Sequence, residues 1–423
     1  MNDDTPAPPS GPLQWQSDWT GQQQAQTEPS QSQSQPGPQS QSQSQSQSQD
    51  GPASPGQTAA AAAPALAPRE ARLEAGSGTA RRYEGPTVPG VDSAAGASAS
   101  PLPAVRWLRV RHETSYRYDC EVEGAHHLAH LRPRDTATQQ VRAWSLVVSP
   151  QPDAGVDLAG GIRETIDPWG NARQAFAHSQ VHDELDVTAS FEAGIRATPL
   201  PAPGSSQAWR EVARELRLNA GASRHASRDP GASVSAAQRE AAHAAFEAAE
   251  FALDSGLAPR AQALADWAAP AAAANAGVLE LAVALMHQIH DEFEYLPQST
   301  SVSTGALEAL ALRHGVCQDF AHVLIGACRS LGLAARYVSG YLLTQPPPGR
   351  PRLVGADASH AWAAVWCPPH GWIALDPTND VPAGQDHVTL AWGRDYADVA
   401  PLRGIIRGGS GNAPRVAVTV EPI

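Results

Sequence analysis

The sequence contains no lysine: all 30 of its basic residues are arginine. With no lysine amine to offer, the chain cannot form Gln–Lys cross-links within itself. Acidic residues outnumber basic ones by 43 to 30, for a formal net charge of −13. That balance argues against a nucleic-acid partner, because polyanions attract basic patches. Cysteine is scarce too. Cys120, Cys317, Cys328 and Cys367 are too few and too scattered for a disulfide scaffold, and they show no C-x-x-C spacing. A reducing, cytoplasmic setting is expected. No run approaches the roughly 18 uninterrupted apolar residues of a membrane span. The opening Met1-Asn2-Asp3-Asp4 carries acids where a secretory signal carries basic residues. These absences point to a soluble protein with no membrane partner.

The 423 residues suffice for more than one core. Residues 1–103 are rich in Gln, Ser, Pro, Gly and Ala, with a Gln/Ser repeat from Ser30 to Gln49. Such a segment has too little bulky apolar surface to offset its ordering entropy, so a disordered tail is expected there. From Ala104 the texture turns β-rich: 105–110, 114–118, 144–148 and 181–191 read as strands, and Asp167 to Asn171 as a turn. Residues 104–200 are therefore expected to form a small antiparallel β-sandwich. Residues 201–274 read as an Ala-rich linker with helical parts, and 275–423 as a second ordered domain. In that domain Leu279, Val283, Met286, Ile289 and Phe293 recur at helical spacing. A second helix is expected from about Cys317 to Leu331, ended by Gly332 in the left-handed C′ position. Strands over 335–343, 361–367 and 371–375 follow, the last two joined through Pro368-Pro369-His370.

Chemistry concentrates on three residues of this second domain. Cys317 follows Gly315-Val316 at the start of the expected helix. A thiol there meets the positive end of the macrodipole and unpaired N–H groups, which favour the thiolate and can also cradle an oxyanion. His360 lies just before a strand, and Asp376 just after the next one. If the hairpin turns about Pro368, His360 and Asp376 are equidistant from the turn and face each other. Asp376 would then hold one ring nitrogen of His360 and leave the other for Cys317. A slip of one position would break that arrangement. Taken singly, a Cys is usually a small buried hydrophobe, a His before a strand is usually polar filler, and an Asp before Pro is usually a turn residue. The ordered set Cys, His, Asp reverses the odds; Cys328 and Cys367 keep the packing role.

The same residues carry a family resemblance. Gly315-Val316-Cys317-Gln318-Asp319-Phe320-Ala321-His322, Ala335 to Tyr341, Ser359-His360-Ala361-Trp362 and Asp376-Pro377-Thr378-Asn379 resemble bacterial transglutaminase-like proteins. The likeness continues through Gly393 to Val399 and Pro401 to Gly404. Residues 112–118, Leu131-Arg132-Pro133-Arg134 and Gly170-Asn171 resemble the β-domain that precedes the core in this family. The resemblance implies an α+β fold: a papain-like transglutaminase core, its Cys-bearing helix packed on an antiparallel sheet, behind a small β-sandwich and a disordered tail. It also implies that Cys317 is the nucleophile, His360 the base and Asp376 the orienting carboxylate. Peptide, protein or small amide substrates follow, attacked by way of a thioester intermediate, with no cofactor or metal. The resemblance does not choose between water and an amine as acceptor; hydrolysis is favoured because nothing in the sequence marks an amine site.

Two other readings compete. A non-catalytic scaffold of the same fold would have no use for Cys, His and Asp together. A metalloenzyme built on His126, His127 and His130 lacks the Glu that a zinc-hydrolase helix places inside its motif, so packed or solvated histidines are favoured there. Trp362, Trp366 and Trp372 are expected to pack the hairpin, and Tyr295 to be an ordinary core aromatic.

Overall fold

The computed structural model describes residues 82–83, 104–155, 160–222, 236–344, 359–409 and 414–423. The tail expectation therefore lies mostly outside the described residues. Within that stretch, β1 (Arg82–Tyr83) pairs with the edge of β3 (Gln139–Ser149). The described residues belong to one compact unit.

The N-terminal region is built on β2 (Val105–Ala129), together with β3, β4 (Arg163–Ile166), β5 (Ala172–His178) and β6 (His182–Arg196). The two strands expected at 105–110 and 114–118 are one continuous strand. Its first half alternates Leu108, Val110, His112 and Thr114 inward, the period of a strand with one buried face. That half pairs with β6, and residues 125–129 pair with β5. Asp167 closes the expected turn by accepting the N–H groups of Trp169 and Asn171 at 2.9 and 2.8 Å.

Residues expected as a linker carry α1 (Trp209–Ala222), α2 (Ala236–Glu250) and α3 (Gln262–Ala274). These helices are part of the core. Val212, Leu216, Ala248, Leu264 and Ala268 are buried with α4 (Val278–Glu292). Alanine-rich faces allow close approach but give little apolar contrast, which is why the packing escapes a periodicity reading.

After α4 come β7 (Glu294–Tyr295), α5 (Ala306–Leu312), β8 (His314–Gly315) and α6 (Cys317–Ser330). Gly332 follows α6 with φ +86°, in the left-handed position expected of it. The second sheet contains β9 (Ala335–Leu342), β10 (Ser359–Trp366), β11 (Trp372–Asp376), β12 (Val381–Pro382) and β13 (His387–Gly393), in the order β12-β11-β10-β9-β13. Ala361, Ala363 and Val365 of β10 share a core with Phe320, Leu324 and Ala327 of α6. This is the helix-on-antiparallel-sheet arrangement the family resemblance implies.

The chain ends with α7 (Tyr396–Val399), β14 (Leu402–Gly408) and β15 (Arg415–Pro422). Both strands return to pair with β2, so the C-terminal residues complete the N-terminal sheet. The two sheets also share a core in which Tyr341, Val388 and Leu390 join Leu108, Val110 and Phe191. The free edge of β13 is covered by side chains. Gln139 exchanges two hydrogen bonds with the Thr389 backbone (2.7 and 2.8 Å), and Asn171 does the same with Trp392 (2.8 and 3.0 Å). Two amides thus satisfy an edge that would otherwise expose unpaired backbone groups.

Candidate active site

Cys317 begins α6, and the local sequence makes that helix start possible. Asp319, the third residue of the helix, reaches back to the Val316 N–H at 2.8 Å and accepts the Thr300 hydroxyl at 2.6 Å. A Cβ on Gly315 would sit 2.6 Å from that same Asp319 oxygen, so only glycine leaves room for it. Tyr295 is held alongside by the parallel pairing of β7 with β8, where it faces Gly315. The first N–H groups of α6 have no intrahelical acceptor, as at any helix start, and they lie beside a half-buried thiol.

The β10–β11 hairpin is where the register differs from expectation. Trp366 faces Trp372 and Ala363 faces Leu375, two positions away from the pairing that would set His360 directly against Asp376. The turn closes from Cys367 N–H to the Gly371 carbonyl at 2.8 Å, with Gly371 at φ +79°, so it is centred on Pro369. A shift of two preserves the face, because side chains alternate with period two. His360 and Asp376 therefore meet diagonally, and His360 Nε2 lies 2.7 Å from Asp376 Oδ2. The Cys317 thiol lies beside the same imidazole and helps hold its proton. All three expected site residues come together.

Asp376 is fully buried and heavily bonded. Its Oδ1 accepts the Thr378 and Asn379 N–H groups at 3.0 and 3.3 Å. Its Oδ2 accepts Asn379 Nδ2 at 2.6 Å and His387 Nε2 at 3.1 Å, besides His360. Burial alone would raise this carboxyl, but the two imidazoles hold it well below the usual carboxylate range. Burial likewise opposes a charged His360, yet Asp376, seconded by Cys317, holds the imidazole up to about 10. The arrangement favours a charged pair.

The other sequence-stretch candidates separate cleanly. Burial pushes the Cys328 thiol up to about 12 and raises Cys367 as well, as suits packing cysteines. Trp366 and Trp372 meet edge to face at 5.6 Å, and Trp362 is buried beside His360. Tyr295 is partly exposed and lies edge-on to Phe320 at 6.3 Å. Its hydroxyl is held above its ordinary value by burial, then by Cys317, Asp319 and Asp376. His127 stacks on Phe176, and His130 Nδ1 lies 3.3 Å from the Ala400 carbonyl. Among the described residues, the one group of three His, Cys, Asp or Glu side chains close enough to hold a metal is His360, Asp376 and His387. His387 and Asn379 were not singled out from sequence. Asn379 lies in the Asp376-Pro377-Thr378-Asn379 stretch; nothing about His387 marks it apart from other histidines that precede strands.

The model of the transglutaminase-like superfamily matches residues 265–377, and that of the bacterial transglutaminase-like N-terminal region matches residues 108–193. An uncharacterized protein of Mycobacterium tuberculosis (strain H37Rv) is 36% identical over 334 residues, which covers 76% of this chain and 95% of the relative. The chain belongs to the transglutaminase-like superfamily. A protein-glutamine gamma-glutamyltransferase of Pseudomonas aeruginosa is 32% identical over 127 residues, 29% of this chain and 19% of that protein. The fold is also that of a Cytophaga hutchinsonii crystal structure described as a candidate cysteine protease. That structure has a TM-score of 0.52 and 19% identity, covering 75% of this chain and 91% of the other. Transglutaminase-like proteins are typically cysteine enzymes. No helix among the described residues is long and apolar enough to cross a membrane.

Proposed function

We propose that this transglutaminase-like protein is a cysteine enzyme that attacks amide or peptide carbonyls, with Cys317 as nucleophile, His360 as base and Asp376 as orienting carboxylate. One observation carries the proposal: a single buried imidazole is bonded through Nε2 to the Asp376 carboxylate and has the Cys317 thiol beside it. With Nε2–H on the carboxylate, Nδ1 is left for the thiol. The Cys317 proton passes to His360, and the thiolate attacks the carbonyl carbon. The negative charge formed on the carbonyl oxygen is met by the free N–H groups at the start of α6. As the tetrahedral intermediate collapses, the C–N bond breaks and His360 returns the proton to the leaving amine or ammonia, giving a thioester. Water, deprotonated by His360, then attacks the thioester and releases the acid and the Cys317 thiol.

The substrate class is a peptide, a protein or a small amide. The glutamyltransferase relative motivates a glutamine side chain as one acyl donor and an amine as the alternative acceptor. Hydrolysis is preferred, because among the described residues no group near the site marks a place for a second amine. A cytoplasmic location remains part of the proposal, on the scarcity of cysteine.

The test is to incubate the protein with glutamine-containing peptides, with and without hydroxylamine, and to follow ammonia, hydroxamate and new peptide ends by mass spectrometry. Product formation that vanishes in Cys317→Ala and His360→Ala is expected. Turnover unchanged in Cys317→Ala would sink the enzyme reading and leave the scaffold.

A further inference from the structure

His387 opens β13, is only 7% exposed, and shares Asp376 Oδ2 with His360. Two imidazoles can share one carboxylate oxygen in two ways: both can donate to it, or a metal ion can sit among them. His360, Asp376 and His387 lie close enough for either. The tautomer of His387 distinguishes them. The Gly384 backbone N–H donates to His387 Nδ1 at 3.2 Å, so Nδ1 carries the lone pair and the ring proton is on Nε2. A protonated Nε2 has no lone pair for a metal and is a donor to the carboxylate.

We propose that His387 is a positioning residue for the Asp376–His360 pair, its Nε2–H fixing Oδ2 opposite the His360 ring. This rests on the reading of Cys317 as the nucleophile. Two backbone N–H groups fix Oδ1, while Oδ2 is held by side chains alone. Of the Oδ2 partners other than His360, Asn379 comes from the same loop as Asp376, whereas His387 comes from a different strand. That strand is secured at Thr389, two residues on, by the amide of Gln139. The N-terminal sheet thus sets where His387 stands, and His387 sets where the carboxylate points. The Trp362 indole packs edge-on against the His387 ring at 5.2 Å and limits its rotation. The titratable groups facing His387 are Asp376 on β11 and His360 on β10; Arg196 lines the same small cavity as His387.

The experiment follows iodoacetamide labelling of each cysteine by peptide mass spectrometry from pH 4 to 9, in the wild type, His387→Leu and His387→Gln. Labelling of Cys317 at pH 6 should fall roughly tenfold in His387→Leu, the worth of one hydrogen bond to a charged group. Its pH midpoint should move up. His387→Gln, which keeps an N–H near the Nε2 position, should recover most of the reactivity. A packing role gives the opposite order, since leucine suits a buried site better than a glutamine amide. Wild-type behaviour in His387→Leu, or equal loss in both variants, would overturn the proposal. Continued protection of buried Cys328 and Cys367 checks that each variant is folded. If His387→Leu does not fold, nitrogen NMR of the wild-type histidines decides: an Nε2–H tautomer at His387 is expected, and an Nδ1–H tautomer would overturn the inference. Wild-type Cys317 no more reactive than exposed Cys120 would refute the nucleophile reading itself. An activated Cys317 that is indifferent to His387→Leu refutes this inference alone.

Discussion

Replacing Asp376 by alanine removes the acceptor for five hydrogen bonds and leaves a buried imidazole without its counter-charge. Breaking one side of a buried charged pair typically costs about 3–5 kcal/mol. A similar ceiling comes from His360. Its imidazole is held up to about 10 against an ordinary 6.5, and a tenfold change in proton affinity is about 1.4 kcal/mol. The pH dependence follows from the two directions. His360 is raised, so its contribution is complete below about 6.5, where the unfolded chain is also protonated, and fades as pH climbs toward about 10. Asp376 is depressed, so its contribution is present above the ordinary carboxylate value of 3.8 and is lost as pH falls below it. Urea unfolding of wild type and Asp376→Ala should therefore differ by about 3–5 kcal/mol near pH 5–6, with the gap narrowing on approach to pH 10. A gap below about 1 kcal/mol, the worth of one ordinary hydrogen bond, would refute the buried charged pair, as would a gap that is the same at pH 6 and pH 10.

Two further substitutions probe the supports of the site. A Cβ on Gly340 would collide with the Val388 carbonyl on one side and the Trp362 indole on the other. Gly340→Ala should cost about 1–3 kcal/mol in denaturant unfolding and should slow Cys317 labelling, because Trp362 packs against His360 and His387. Arg329 is completely buried and donates to the Phe251, Ala258, Ala335 and Arg394 carbonyls and to Ser255, at 2.7–2.9 Å. Lysine cannot reach all of these acceptors, so Arg329→Lys should lower stability by about 3–5 kcal/mol, since each stranded buried carbonyl costs about 1–3. Unfolding midpoints within error of wild type would contradict either expectation.

How much of this was legible in the sequence differs from element to element. α4 and α6 were readable because their apolar residues recur at helical spacing and Gly332 stops the second helix. The Cys317, His360 and Asp376 set is expected from residue type and order, and the structure places His360 on Asp376 with Cys317 beside it. The hairpin register was not, because the position of the turn depended on Gly371 taking the left-handed conformation, which centres the loop one residue later than Pro368. The side-chain face survived only because the shift was even. The return of β14 and β15 to β2 joins residues more than 250 positions apart, and no local pattern encodes pairing at that distance. His387 was missed for the same reason. It lies 11 residues from Asp376 in sequence, and its role depends on a sheet order visible only in three dimensions.

The central claim is that Cys317 is a nucleophile activated by His360. It is tested most directly by iodoacetamide labelling of all four cysteines between pH 4 and 9, read by mass spectrometry in the wild type and in His360→Ala. The expected result is labelling of Cys317 near pH 6, well below the ~8.5 of an ordinary thiol, and its loss in His360→Ala. Buried Cys328 and Cys367 should not label at all. If Cys317 labels in step with Cys120, with or without His360, the triad does not activate it and the account is wrong.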